Sequence, residues 1–215
     1  MERVKRLSIL GDSVSTYMGA SNDEGASEST IINPYFYRPP FPLSGTYWHR
    51  VMEHFGLLLC VNNSYSGGNL SGWGDPISGV SRADKLARDD GTLPDLIILF
   101  MGLNDLGRGV DVGVFAADYR KTLAVFRKRY PRARVVCVNM PDRDPVLYER
   151  TVLFNRAIGD AVKEAGDGYC IADLFASRLK DDFYYMNTLD GLHPDEDGMK
   201  MIAEVVEQAI RQNCN

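Results

Sequence analysis

Asp95-Leu96-Ile97-Ile98-Leu99-Phe100-Met101 is the most apolar short run in the chain. A helical pattern from Val112 to Arg129 follows it, and then a second β-rich run, Ala133-Arg134-Val135-Val136-Cys137-Val138-Asn139. Strand, helix and strand in that order are the signature of a βαβ unit, whose strands lie parallel. Outward from this stretch the alternation continues. Strand runs are predicted at Val4 to Leu10, Leu57 to Asn62 and Tyr169 to Asp173, and helices near Thr46 to Phe55, Arg82 to Arg88, Val146 to Ala165 and Pro194 to Gln212. Five strands with intervening helices predict the α/β class, a three-layer α/β/α sandwich on a mainly parallel sheet. Such sheets bind ligands beyond the carboxyl ends of the strands, where the strand order reverses. The loops there carry Gly11-Asp12-Ser13, Asn63 to Gly68, Gly102-Leu103-Asn104-Asp105 and Asp142-Arg143-Asp144.

At 215 residues the chain fits one domain, 1–215, that buries roughly 70% of its unfolded surface without staples. Only the stretch from about 14 to 45 breaks the alternation. It mixes Ser, Asn and Pro with Tyr17, Tyr35, Phe36, Tyr37 and Phe41, and reads as a long loop insertion, either a lid or surface held down by its aromatics. A formal net charge of -5 gives no electrostatic reason to bind nucleic acid or anionic membranes. Cys60, Cys137, Cys170 and Cys214 are far apart, and the first three lie inside apolar runs, as buried free thiols do. A reducing, cytoplasmic compartment is expected; a secreted protein trimmed of its signal peptide would read the same way.

An activated serine needs a base, a group that orients the base, and donors aimed at the developing oxyanion. Ser13 directly follows an apolar strand, so its hydroxyl emerges at the sheet's carboxyl edge; a helix N-cap is the structural alternative. Asp190-Gly191-Leu192-His193-Pro194 precedes the last helix, with Pro194 suited to the first helical position. His193 at that helix N-terminus has its charged form disfavoured by the dipole, and the carboxylate of Asp190 offsets this. Alternatively, His193 caps the helix beside an Asp turn. Asn104 can donate through its amide and Gly67 through its backbone N–H, although both are also ordinary turn residues.

Taken together, Gly11 to Ser13, Ser64 to Gly67, Gly102 to Asp105 and Asp190 to Pro194 resemble the four motifs of the SGNH/GDSL hydrolase family, in order, over residues 7–198. The resemblance implies a flavodoxin-like sandwich of strand order 2-1-3-4-5 and no metal or organic cofactor. It also implies a triad of Ser13, Asp190 and His193, and an oxyanion hole made by the Ser13 N–H, the Gly67 N–H and the Asn104 amide. Gly67 is preferred to Gly68 because it completes Ser-x-Ser-Gly. The expected activity is a serine esterase acting on short-chain acyl esters, O-acetylated carbohydrates among them. A non-catalytic ligand-binding protein on the same sandwich and an acyl thioesterase are the alternatives.

The other candidates are weaker. No serine is flanked as Gly-x-Ser-x-Gly, which disfavours an α/β-hydrolase. Gly107 to Gly113 is spaced one residue too long for a dinucleotide fingerprint. His49 and His54, five apart on a helix, do not share a face for a metal. Asp142, Arg143 and Asp144 either touch substrate or form a solvated turn. Trp73 either stacks on a sugar or, more commonly for such a residue, packs under its Gly-rich loop.

Overall fold

The computed structural model describes residues 5–16, 40–142, 144–177 and 187–213. Strands β1 (Arg6–Gly11), β2 (Leu58–Ser64), β3 (Leu96–Phe100), β4 (Arg134–Val138) and β5 (Tyr169–Ala172) form one sheet in the order β2-β1-β3-β4-β5, every pairing parallel. Each expected strand is present, its ends displaced by two residues or fewer. All five residues of β3 are buried, because the strand lies mid-sheet with both faces covered; hence its run shows no polar alternation.

The helices are α1 (Tyr47–Phe55), α2 (Gly79–Arg82), α3 (Leu103–Gly107), α4 (Val112–Arg129), α5 (Tyr148–Ala165) and α6 (Glu196–Asn213). α1 and α6 pack together on one face of the sheet, α4 and α5 on the other with α2 against α4, which makes the three layers. Leu7, Ile9, Ile98, Phe115, Phe154 and Val206, all fully buried, belong to one continuous apolar core. Helix ends follow local chemistry. The Thr46 hydroxyl accepts from the His49 N–H to start α1, and Gly56 ends it at φ 61°. The Asp111 carboxylate accepts from Gly113 and Val114 to start α4, whose last turn sets Arg127, Lys128 and Arg129 against the negative pole.

Several expectations are corrected. The helix expected at Arg82 to Arg88 is instead Gly79–Arg82, and the residues after it form turns. Their carbonyls bond elsewhere: Lys85 O accepts from Asn63 Nδ2 and Leu86 O from Ser8 Oγ, while the Leu86 N–H donates to the Tyr130 hydroxyl. α3 was not expected, and it separates β3 from the Gly107 to Gly113 stretch, which therefore does not follow a strand. The insertion is not loop from residue 14 onward, because Ser13–Ser15 form a 3-10 turn. Residues 17–39 of it, with Tyr17, Tyr35, Phe36 and Tyr37, lie outside the described residues, as do Val4, Arg143 and Cys214. Cys60 and Cys137 are buried free thiols, and Cys170 is a buried cysteine whose Sγ lies 3.9 Å from Ala209 O. Among the described residues no helix is long and apolar enough to cross a membrane.

Candidate active site

β1 ends on Gly11, where a Cβ would lie 2.5 Å from the Ser15 side chain and 2.7 Å from Ser64 Oγ, so only glycine lets the chain turn there. The turn is held from three directions. Asp12 Oδ1 accepts the Val14 N–H at 3.0 Å, Ser15 Oγ meets the Tyr47 hydroxyl at 2.7 Å, and Asn62 Nδ2 donates to Ser15 O at 2.9 Å. Ser13 thus stands on a fixed backbone just beyond the sheet edge, 6% exposed.

The partner of Ser13 comes from the loop before α6. An isolated antiparallel bridge joins Thr188 to Pro194, and between them Gly191 adopts φ 80° and donates to Thr188 Oγ1 at 3.0 Å. Asp190 Oδ1 accepts the N–H groups of Leu192 at 3.0 Å and His193 at 2.7 Å. Its Oδ2 lies 2.7 Å from His193 Nδ1, and His193 Nε2 lies 2.9 Å from Ser13 Oγ. Burial opposes ionisation of Asp190, but the N–H bonds and the His193 ring outweigh it and hold its carboxyl below the ordinary carboxylate range. The expected place of His193 is corrected: α6 begins at Glu196, and Asp195 caps it through the Gly198 N–H at 2.8 Å. His193 therefore neither caps the helix nor sits in its first turn, and its orientation comes from Asp190.

Asn104, in the first turn of α3, lines a pocket of about 170 Å³ together with Ser13, Asp12 and Leu192. Its Nδ2 donates to Gly68 O at 3.1 Å and, more weakly, to Asp12 Oδ2 at 3.4 Å. The Gly68 N–H is taken by Tyr65 O at 3.0 Å, whereas the N–H groups of Gly67 and Ser13 have no partner among the described residues. Gly67, at φ 70°, is not a wall of the pocket but adjoins Arg108, which is. A hydroxyl bonded to an imidazole, with unoccupied N–H donors on its own residue and on a neighbouring loop, is the arrangement acyl transfer needs.

Four residues to which the sequence assigned no role also contribute. Asp12, fully buried, is pushed up to about 7 by burial and by Asp105 nearby, against the Val14 N–H and Arg82. Arg82, 2% exposed, donates to the carbonyls of Gly11, Asn63 and Ile77, tying together the ends of β1 and β2; burial lowers it to about 10. Asp105 accepts the N–H groups of Leu70 at 2.7 Å and Ser71 at 3.0 Å and also bonds the Ser71 hydroxyl. Arg108 bonds Gly67 O and Asn69. The Gly-x-Asn-Asp motif flagged Asp105 by position, but nothing in a single sequence assigns the arginines.

The remaining candidates separate from the site. Trp73 is 61% exposed with Lys121 Nζ 3.3 Å from its ring centre, so it does not pack under the glycine loop. Asp144 caps the turn into α5 through Val146. His49 lies by Glu53 and His54 by Glu207 of α6, and no metal-holding cluster occurs among the described residues.

The profile of the GDSL-like lipase/acylhydrolase family matches residues 9–201. Among solved structures, a candidate GDSL-like lipase from Bacteroides ovatus is similar at 23% identity and TM-score 0.74, over 98% of this chain and 100% of its own. A family two carbohydrate esterase from Clostridium thermocellum, solved with cellohexaose, has 17% identity and TM-score 0.71 over 98% of this chain and 64% of its own. The psychrotrophic esterase EstA from Pseudoalteromonas, solved inhibited by monoethylphosphonate, has 14% identity and TM-score 0.62 over 97% of each chain. No curated protein matches the chain.

Proposed function

Because the chain belongs to the GDSL-like lipase/acylhydrolase family, we propose that it is a serine esterase that removes short acyl groups, O-acetyl groups on carbohydrates among them, with Ser13 as nucleophile. The observation that carries this is the continuous relay from Ser13 Oγ through His193 to Asp190, at 2.9 and 2.7 Å. In the first half-reaction His193 Nε2 takes the Ser13 proton as Oγ bonds to the ester carbonyl carbon. The carbonyl electrons move onto oxygen, which accepts from the N–H groups of Ser13 and Gly67 and from the Asn104 Nδ2 hydrogen that otherwise makes the weak 3.4 Å bond to Asp12. Collapse expels the alcohol, which takes the proton from His193, and leaves an acyl-serine. Water, deprotonated by the same imidazole, bonds to the acyl carbon, and the imidazolium returns that proton to Ser13 Oγ as the acyl–Oγ bond breaks and the acid departs. Asp190 keeps Nδ1 protonated and steadies the imidazolium. A pocket of about 170 Å³ beside a nearly buried nucleophile favours short acyl groups over long ones.

Labelling with a phosphonylating probe tests the nucleophile. We expect one covalent adduct on Ser13, absent in Ser13→Ala, and Ser13→Ala and His193→Ala each removing nearly all esterase activity with little further loss in the double variant. A folded protein that takes no label would instead be a binding module on the same sandwich. Rates that climb with acyl length toward long chains would refute the short-acyl preference.

A further inference from the structure

Arg108 follows α3 and lines the same pocket as Ser13 and Asn104, at its solvent-exposed rim. Nη1 donates to Gly67 O at 2.6 Å and to Asn69 Oδ1 at 2.7 Å, which uses both of its hydrogens on neutral acceptors. The Nε–H and the two Nη2 hydrogens have no partner among the described residues, and no carboxylate there pairs with the guanidinium. That Nε and Nη2 edge is one that grips a carboxylate by two parallel hydrogen bonds. In a chain with 29 acidic against 24 basic residues, an arginine at the rim of a serine pocket with no acid beside it among the described residues is a charge awaiting a counterpart. The Nη1 tether lowers the ordering cost of binding, because the side chain is already fixed.

On the premise that Ser13 cleaves esters, we propose that Arg108 is a specificity-determining residue whose free guanidinium edge binds a carboxylate on the alcohol portion of the substrate. The small acyl group sits in the pocket by Ser13, and the alcohol leaves past the rim where Arg108 stands. The preferred substrates are therefore short acyl esters of acid-bearing alcohols, acidic sugars included. Lysine could supply charge at this position but not the fork.

The test compares kcat/KM for 4-acetoxybenzoate with that for phenyl acetate in the wild type, Arg108→Gln and Arg108→Lys. Comparing the ratio across proteins cancels the intrinsic reactivity of the two esters. The ratio should fall about tenfold in Arg108→Gln, mainly through KM for the anionic ester, and by less in Arg108→Lys. Added salt should narrow the wild-type preference, since the rim is exposed. An unchanged ratio in both folded variants, or a wild-type ratio insensitive to salt, would overturn the role of Arg108 while leaving the esterase intact. If the wild type cleaved neither ester and took no phosphonate label, the premise itself would fail.

Discussion

Between about pH 4 and pH 7 the folded protein holds on Asp12 a proton that the unfolded chain releases near its ordinary value of 3.8, because burial and Asp105 raise it to about 7. Unfolding therefore releases a proton between those values. The contribution to stability is full below about pH 4 and is lost as pH rises through 7, by ~1.4 kcal/mol per unit in that window. Urea unfolding at pH 5 and pH 8 should show wild type losing more stability than Asp12→Asn; equal losses would deny the raised value. Asn104, which donates to Gly68 O and Asp12, bears on turnover instead. Asn104→Ala should lower kcat by roughly 100- to 1,000-fold and change KM little, since the charge it meets develops only in the transition state. Near-normal kcat in a folded variant would remove it from the oxyanion hole.

At the scale of elements, Asp105 joins α3 to the backbone after β2 by accepting two N–H groups and a hydroxyl. Asp105→Ala strands those donors and should cost about 2–4 kcal/mol in chemical denaturation. A loss under 1 kcal/mol would mean that water replaces the carboxylate. Strands and long helices were legible because their apolar periods are set by which faces they bury, as the run Leu96 to Phe100 shows. The turns after α2 were not, because the carbonyls of Lys85 and Leu86 are claimed by side chains from distant strands. Likewise the motifs pointed to Ser13, Asn104, Asp190 and His193, which the fold brings to one place. Arg82 and Arg108 are placed by carbonyls that the fold brings to them.

Across the whole molecule, Ser13 and His193 are 180 residues apart, and their contact depends on how α6 seats the loop before it. Gly198 leaves room for the Asn187 carbonyl and for Pro194, on which a Cβ would intrude. Gly198→Ala should therefore displace the His193 loop. We expect turnover to fall at least tenfold while the thermal midpoint drops only a few degrees; parallel loss of both would assign Gly198 to stability alone. The same 180-residue span imposes an order of events during synthesis. Ser13 is made 180 residues before His193, so every nascent chain that stops short of that position lacks the imidazole. On the proposed reading, ester cleavage cannot begin before that segment is made and docked, so its onset reports the docking.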